Sequence, residues 1–366
     1  MIKVTLTNEI LRYITEIDQN RYKVSSVKLS KTVMNRLRKN SKKKSSYASN
    51  KIEGNPLSQK QVDEVIDSDE RKHYLKPEQE VRNYFLALNY LEENVNKKEK
   101  FSKKLILDVQ KLVEKGASKE KIGLRGSMPP GVLFAVYDSK TGNPDYIPPE
   151  YCDIPGLLDE LIEYVNTTDD HPLIVAAIVH YQLVTIHPFE DGNGRTARLL
   201  SGYIMDLNGY GFNGIGSLEE YFAYDIDEYY ESIQMGLPAL YYSGRENPPH
   251  PEIWINYFLR MVKLYSGKVC DLQLASEEED IVGSLSFLKG KEKELLKFLI
   301  KNYRGEFTPI EVSRELSVTN KTIINRLAVL VKNGFVIPIL VNQRIRSYEL
   351  SDFTRDHEKE IMKVIS

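Results

Sequence analysis

Twelve consecutive residues hold most of the chemistry this chain offers: His187, Pro188, Phe189, Glu190, Asp191, Gly192, Asn193, Gly194, Arg195, Thr196, Ala197 and Arg198. His187 has an ordinary pKa of about 6.5, which suits proton transfer at neutral pH. Asp191 is the ligand type that a hard cation such as Mg2+ takes. Gly192 and Gly194 flank an amide, Asn193, and let the backbone approach a ligand closely. Arg195 and Arg198, three residues apart, share one face of a helical turn, and their planar forks match phosphate oxygens. Base, carboxylate, flexible backbone and two guanidiniums together point to work on a triphosphate.

Such a set needs rigid neighbours. Leu199, Leu200, Tyr203, Ile204 and Met205 fall at helical spacing, so Asp191 to Gly194 are expected to form the tight loop that opens a helix. Free N–H groups and a partial positive charge at that helix start favour an anion. Helical spacing also predicts helices over Leu57–Asp67, Pro77–Val95, Ser102–Glu114, Leu157–Val165, His171–Ile186, Arg195–Leu207, Leu218–Met235 and Glu252–Ser266. Between them, Gly123 to Glu150 is rich in Gly and Pro. Its run Val132 to Tyr137 is expected to pair with Tyr146-Ile147 around a turn at Asp138 to Asn143. Ser49 and Glu53, four apart, project from one helical face, and Gly54 suits a helix stop.

The twelve residues resemble the signature of the Fic (Fido) family, His-Pro-Phe-x-Asp-Gly-Asn-Gly-Arg-x-x-Arg, at every fixed position. The likeness runs over roughly residues 40 to 265. It implies a mainly α fold, a Fic-type helical core with a β-hairpin flap. It also implies transfer of AMP from ATP to a hydroxyl of a target protein, with the chain itself among the candidate targets. On that resemblance His187 is the catalytic base and Asp191 holds Mg2+. Gly192, Asn193, Gly194, Arg195 and Arg198 bind the phosphates of ATP, and Tyr229 and Tyr230 flank the adenine. Ser49 to Gly54 resembles the family's inhibitory pattern, in which Ser49 marks the helix and Glu53 pairs with Arg198. The hairpin resembles the family's flap, which positions the target. Leu237 stands where some relatives carry an amide near the nucleobase.

Composition is that of a water-soluble globular protein, with 41% hydrophobic and 28% charged residues. A net charge of -2 gives no overall pull toward nucleic acid or membrane. Met1 to Glu16 lacks a signal pattern, so a cytoplasmic location without membrane contact is expected. Cys152 and Cys270 make neither a disulfide framework nor a metal site. His73, His171, His180, His250 and His357 lack ligand spacing and are read as structural. Lys28 to Lys51 is read as a solvated basic segment.

Past an acidic stretch ending at Asp280, the pattern becomes helix, helix, helix, hairpin. Thr308 with Glu311 forms a capping box, Thr319 opens the third helix, and Gly334 stops it. Strands follow over Phe335–Ile339 and Arg344–Leu350. This resembles a winged helix-turn-helix, in which Asn320, Lys321, Asn325 and Arg326 would face DNA. Winged helices also bind proteins and dimerise, so DNA, a protein partner and a homodimer all stay open. The expected layout is an N-terminal helical region 1–100 carrying the motif 49–54, a catalytic core 101–268, a linker 269–285, a winged-helix-like domain 286–352 and a tail 353–366. Two other readings remain: a nucleotide-sensing DNA-binding regulator, and an enzyme of the same fold with another phosphate-containing donor.

Overall fold

The computed structural model describes residues 2–27, 29–118, 122–137, 142–237, 248–341 and 344–365. The fold is mostly helical. In chain order the helices are α1 (Asn8–Ser26), α2 (Lys31–Ile52), α3 (Gln59–Asp67), α4 (Lys76–Lys97) and α5 (Lys103–Glu114). A short hairpin follows, β1 (Val136–Tyr137) and β2 (Pro144–Tyr146). Then come α6 (Ile154–Thr167), α7 (Pro172–Ile186), α8 (Asn193–Leu207), α9 (Glu219–Phe222), α10 (Ile226–Gln234) and α11 (Pro251–Ser286). The chain ends with α12 (Gly290–Asn302), α13 (Pro309–Glu315), α14 (Asn320–Lys332), β3 (Val336–Val341), β4 (Arg344–Leu350), α15 (Asp352–Asp356) and α16 (Glu358–Ile365). Two compact units divide it: Met1–Tyr22 with Leu37–Val269, and Lys23–Arg36 with Cys270–Ser366.

In the first unit α7 is the central element. It is apolar on all sides and buried on nearly every residue, as a helix surrounded by protein must be. It packs against α6 and α8, and α8 against α4 and α5. Ser201 of α8 donates to the Ala176 carbonyl of α7 (2.8 Å), and Trp254 of α11 donates its indole N–H to Ala177 (2.8 Å). The hairpin pairs antiparallel, Val136 opposite Tyr146 and Tyr137 opposite Pro144. Part of its expected turn, 138–141, lies outside the described residues.

In the second unit, Leu295, Leu296, Leu299, Val312, Ile323, Leu327, Leu330 and Phe335 form the centre of one apolar core. The capping box at Thr308 and Glu311 is formed, and Thr319 caps α14. Gly334 follows at φ 78°, a conformation that suits glycine. Strands β3 and β4 pair antiparallel, and Phe307 bridges Tyr348.

Four expectations change. Of residues 353–366, read as a tail, most of 353–365 is helical in α15 and α16, with Ile361 in the core because its apolar side chain packs there. Residues 269–285, read as a linker, lie inside α11. Their acidic run is compatible with helix because Glu is a good helix former. Residues 28–51, read as a solvated segment, are mostly α2, and Lys43, Ser45, Ser46 and Ser49 on it are buried. Leu218–Met235, read as one helix, is broken at Ala223 to Asp225, where Asp225 caps α10 through its side chain. Among the described residues no helix is long and apolar enough to cross a membrane.

Candidate functional site

The loop between α7 and α8 is set by its two ends. His187 closes α7 in the left-handed region, φ 48°, and its N–H donates to Leu183 (3.1 Å). That conformation is costly for a residue with a side chain and marks a constrained site. Arg125 holds the turn: its Nε donates to the His187 carbonyl (2.8 Å) and its N–H to the Pro188 carbonyl (2.9 Å). Arg125 also reaches the Pro149 carbonyl and lies over the Phe134 ring. Tyr146 of the hairpin donates to the Thr185 carbonyl (2.6 Å), so the hairpin is anchored two residues before His187.

The His187 ring is half-buried, with Phe134 5.9 Å away. Nδ1 lies 3.3 Å from the Val184 carbonyl. A carbonyl only accepts, so Nδ1 carries the proton and Nε2 keeps its lone pair. Burial pushes the ring's pKa down to about 4, with the Arg125 charge acting in the same direction and the Val184 carbonyl, Glu53 and Asp191 opposing. At neutral pH the imidazole is therefore uncharged and able to accept a proton.

Asp191 is one-third exposed, and its Oδ1 accepts from the Gly192 N–H (2.8 Å) and from Arg195 (3.3 Å). Gly192 opens α8 at φ 82°, and a Cβ there would lie 2.7 Å from Glu114 Oε1. Asn193 turns inward. Its Nδ2 donates to the Phe189 carbonyl (2.9 Å) and its Oδ1 accepts the Phe189 N–H (3.0 Å). The Asn193 side chain thus braces the loop, whereas the sequence reading had it bind phosphate. A Cβ at Gly194 would press on Glu53 Oε1 and push that carboxylate aside. The Glu53 carboxylate therefore lies across the first turn of α8, where an anion is electrostatically favoured.

Both arginines are buried and held. Arg198 Nε donates to Ser49 Oγ (2.8 Å), and Nη2 donates to the Ser49 carbonyl (3.0 Å) and Glu53 Oε1 (2.6 Å). Its Nη1 donates to the Tyr229 hydroxyl (3.3 Å). Burial alone would lower the guanidinium's pKa, but Tyr229 and Glu53 hold it above its usual range. Arg195 Nη2 meets Glu114 Oε1 at 2.9 Å, with Glu80 3.9 Å from Nη1. Burial pushes the Glu114 carboxyl up to about 7, against the pull of Arg195.

Sequence reasoning pointed to neither Glu114, Glu80 nor Arg125. Glu114 lies at the end of a helix whose pattern reads as ordinary amphipathic surface, and only the fold brings it to Arg195. The tyrosine pair separates. Tyr229 is buried, 3.1 Å from His180 Nε2, and orients Arg198. Tyr230 is 43% exposed and is the one of the two that can meet a base. His180, stacked on Trp254, has the structural role expected of it.

For a divalent cation the protein offers Asp191, and among the described residues no group of three or more acidic, His or Cys side chains gathers into a cage. One carboxylate fits Mg2+ bound largely through substrate phosphates and water.

Residues 100–205 match the Fic/DOC family. Over 208 residues the chain is 28% identical to protein adenylyltransferase Fic of Drosophila mojavensis, covering 54% of this chain and 38% of that one. With the Nematostella vectensis protein of the same name it shares 30% over 202 residues, covering 53% and 44%. The chain thus spans less than half the length of these curated relatives. A Fic family protein from Desulfovibrio desulfuricans shares the fold over 96% of this chain and 98% of that one, with a TM-score of 0.60 at 20% identity. Fic-1 from C. elegans does so over 73% and 72%, with a TM-score of 0.56 at 23% identity.

Proposed function

We propose that the Fic/DOC domain carried by this chain transfers AMP from ATP to a Ser, Thr or Tyr hydroxyl of a target protein, itself included, and is restrained by Glu53. The names of its relatives support adenylyl transfer in general. The observation that carries the reading here is the tautomer and position of His187, whose free Nε2 belongs to a ring held at the mouth of the α8 N-terminus.

In the reaction, the target hydroxyl gives its proton to His187 Nε2. Its oxygen forms a bond to the α-phosphorus of ATP while the bond from that phosphorus to the bridging oxygen breaks, and pyrophosphate leaves. Backbone N–H groups at the start of α8 stabilise charge on the phosphates. Arg195 and Arg198 hold the outer phosphates. Tyr230 lies against the adenine, and Asn193 keeps the loop in shape. Asp191 would hold Mg2+, which supplies charge neutralisation for the leaving phosphates. The hairpin carrying Tyr137, 60% exposed, offers an edge to which a target backbone adds.

Glu53 restrains this chemistry by occupying the phosphate cradle and by engaging Arg198. The test is labelling with ATP bearing 32P at the α or the γ position. Label from the α position should remain covalently on protein, and label from the γ position should not. His187→Ala should lose the label yet still bind ATP by calorimetry, since a base acts in the transition state. Retention of γ label would indicate phosphate transfer instead. A complete lack of covalent label would leave nucleotide sensing as the role.

A further inference from the structure

We propose that the C-terminal unit binds duplex DNA through α14 and the β3–β4 hairpin, as a function separate from group transfer. The chain as a whole is slightly acidic, with 52 Asp and Glu in 366 residues and a net charge of -2. Yet from Leu316 to Tyr348 there is no carboxylate, and the stretch carries Lys321, Arg326, Lys332, Arg344 and Arg346. These residues lie on α14 and the hairpin, the two elements of a helix–hairpin module that reach a groove and its flanking backbone.

The charges are available. Lys321, Lys332, Arg344 and Arg346 are exposed and Arg326 is half-exposed. Ion pairs of this unit use other residues: Arg304 with Glu358, and Arg355 with Glu349 and Asp352. Among the described residues none of the five cations is in an ion pair. The neighbouring carboxylates have local partners. Glu311 caps its own helix at Thr308, Glu315 accepts from Tyr303 (2.8 Å), and Glu306 accepts from Ser347 (2.6 Å).

Local geometry presents the polar groups outward. Along α14, Ile323, Leu327 and Leu330 are buried, leaving Lys321, Asn325, Ala328 and Lys332 exposed with Ile324 at their edge. Asn suits adenine and Lys suits guanine or phosphate in a major groove, and the small Ala328 permits close approach. On the hairpin the register steps from Ile339 opposite Ser347 to Leu340 opposite Ile345. Arg346 is thus the extra residue of a β-bulge, the device that re-aims one side chain out of the regular alternation. It stands beside Arg344 on an exposed strand segment. Five cations with no acid between them favour a polyanion over a protein. The exposed apolar pair Leu340 and Ile345 is the feature that a second copy of the chain would use instead.

The experiment is fluorescence anisotropy of the full chain with a labelled mixed-sequence duplex at several salt concentrations, with polyglutamate as the control polyanion. Duplex binding should weaken on the order of a hundredfold between 50 and 200 mM salt if about four phosphates are contacted. Arg344→Ala with Arg346→Ala should lower the salt slope by about two, and Lys321→Ala by about one, whereas Arg→Lys changes at the hairpin should keep most of the slope. Failure of the full chain to bind duplex at low salt overturns the proposal. So does duplex affinity that ignores all of these changes, or equal affinity for polyglutamate. If Leu340→Glu dissolves a dimer while duplex binding is absent, the face belongs to a second copy.

Discussion

Helices α7 and α2 both touch α8, but are held by opposite means. Helix α7 is held by apolar contact on every side: Leu173, Ile174, Ala177, Ile178 and Tyr181 are nearly inaccessible to water. Helix α2 turns a polar stripe inward: Ser41, Ser45 and Ser49 recur every four residues and are buried. Each makes a specific polar contact. Ser41 donates to the Gly216 carbonyl, Ser45 to Glu219 (2.8 Å), and Ser49 accepts from Arg198 (2.8 Å). Burying a large apolar side chain contributes about 1.5–3 kcal/mol, whereas an intramolecular hydrogen bond contributes about 1 kcal/mol net. Water can replace the partners of α2 but not those of α7. The first helix is therefore scaffold for His187, and the proposed restraint by Glu53 rides on a helix whose inward polar bonds water can replace.

The largest effect should come from breaking the scaffold. Ile178→Ala opens a cavity in the centre of the domain and should destabilise the protein by about 2–5 kcal/mol in chemical denaturation, with parallel loss of transfer. A smaller effect should come from Glu114→Gln. It removes the closest carboxylate from Arg195 while keeping its shape. The KM for ATP should rise several-fold with kcat changed less, because the amide keeps a neutral acceptor for Arg195 and leaves charge only on Asp191 and the more distant Glu80. Equal losses in both constants would mean that Glu114 acts on the chemical step. Smaller still, Ser45→Ala should cost about 1 kcal/mol and raise transfer, because it loosens α2 without touching the loop. A Ser45→Ala protein both less stable and less active would put α2 in the scaffold.

The pH profile sharpens the same contrast. An ordinary histidine base would lose half its activity near pH 6.5 on acidification. His187 is depressed to about 4 by its burial at the end of α7, so the deprotonated form persists through pH 6.5. Transfer in the Glu53→Gly variant should stay level from pH 8 to about 5 and fall only as the pH approaches 4. A midpoint near 6.5 would show that the ring is solvated during turnover.

The loop between α7 and α8 was legible because the family signature it resembles fixes particular residues in consecutive positions. His187, Asp191, Gly194 and Arg198 all lie together where the spacing placed them. Ser49 and Glu53 were legible through their resemblance to a family pattern, since the four-residue interval alone gives only a shared helical face, and the structure brings both to Arg198. What lay hidden depends on tertiary burial. A stripe of serines and lysines reads as solvated surface, yet α2 buries it because hydrogen-bond acceptors wait on the domain. Tyr229 and Tyr230 are identical in sequence terms, and only packing shows that one orients an arginine while the other meets solvent. Glu114 is 81 residues from Arg195 and no local pattern joins them. Periodicity also ended α11 too early, since an acidic run is as compatible with helix as with linker.

The central claim is that Glu53 occupies the phosphate cradle from a releasable helix. Transfer of α-labelled phosphate onto protein, compared between the wild type and Glu53→Gly at the same ATP concentration, tests it most directly. Removing the carboxylate frees Arg198 and the first turn of α8, so labelling should rise by at least tenfold while thermal stability changes little. Equal labelling of the two proteins, with both active, would contradict the account.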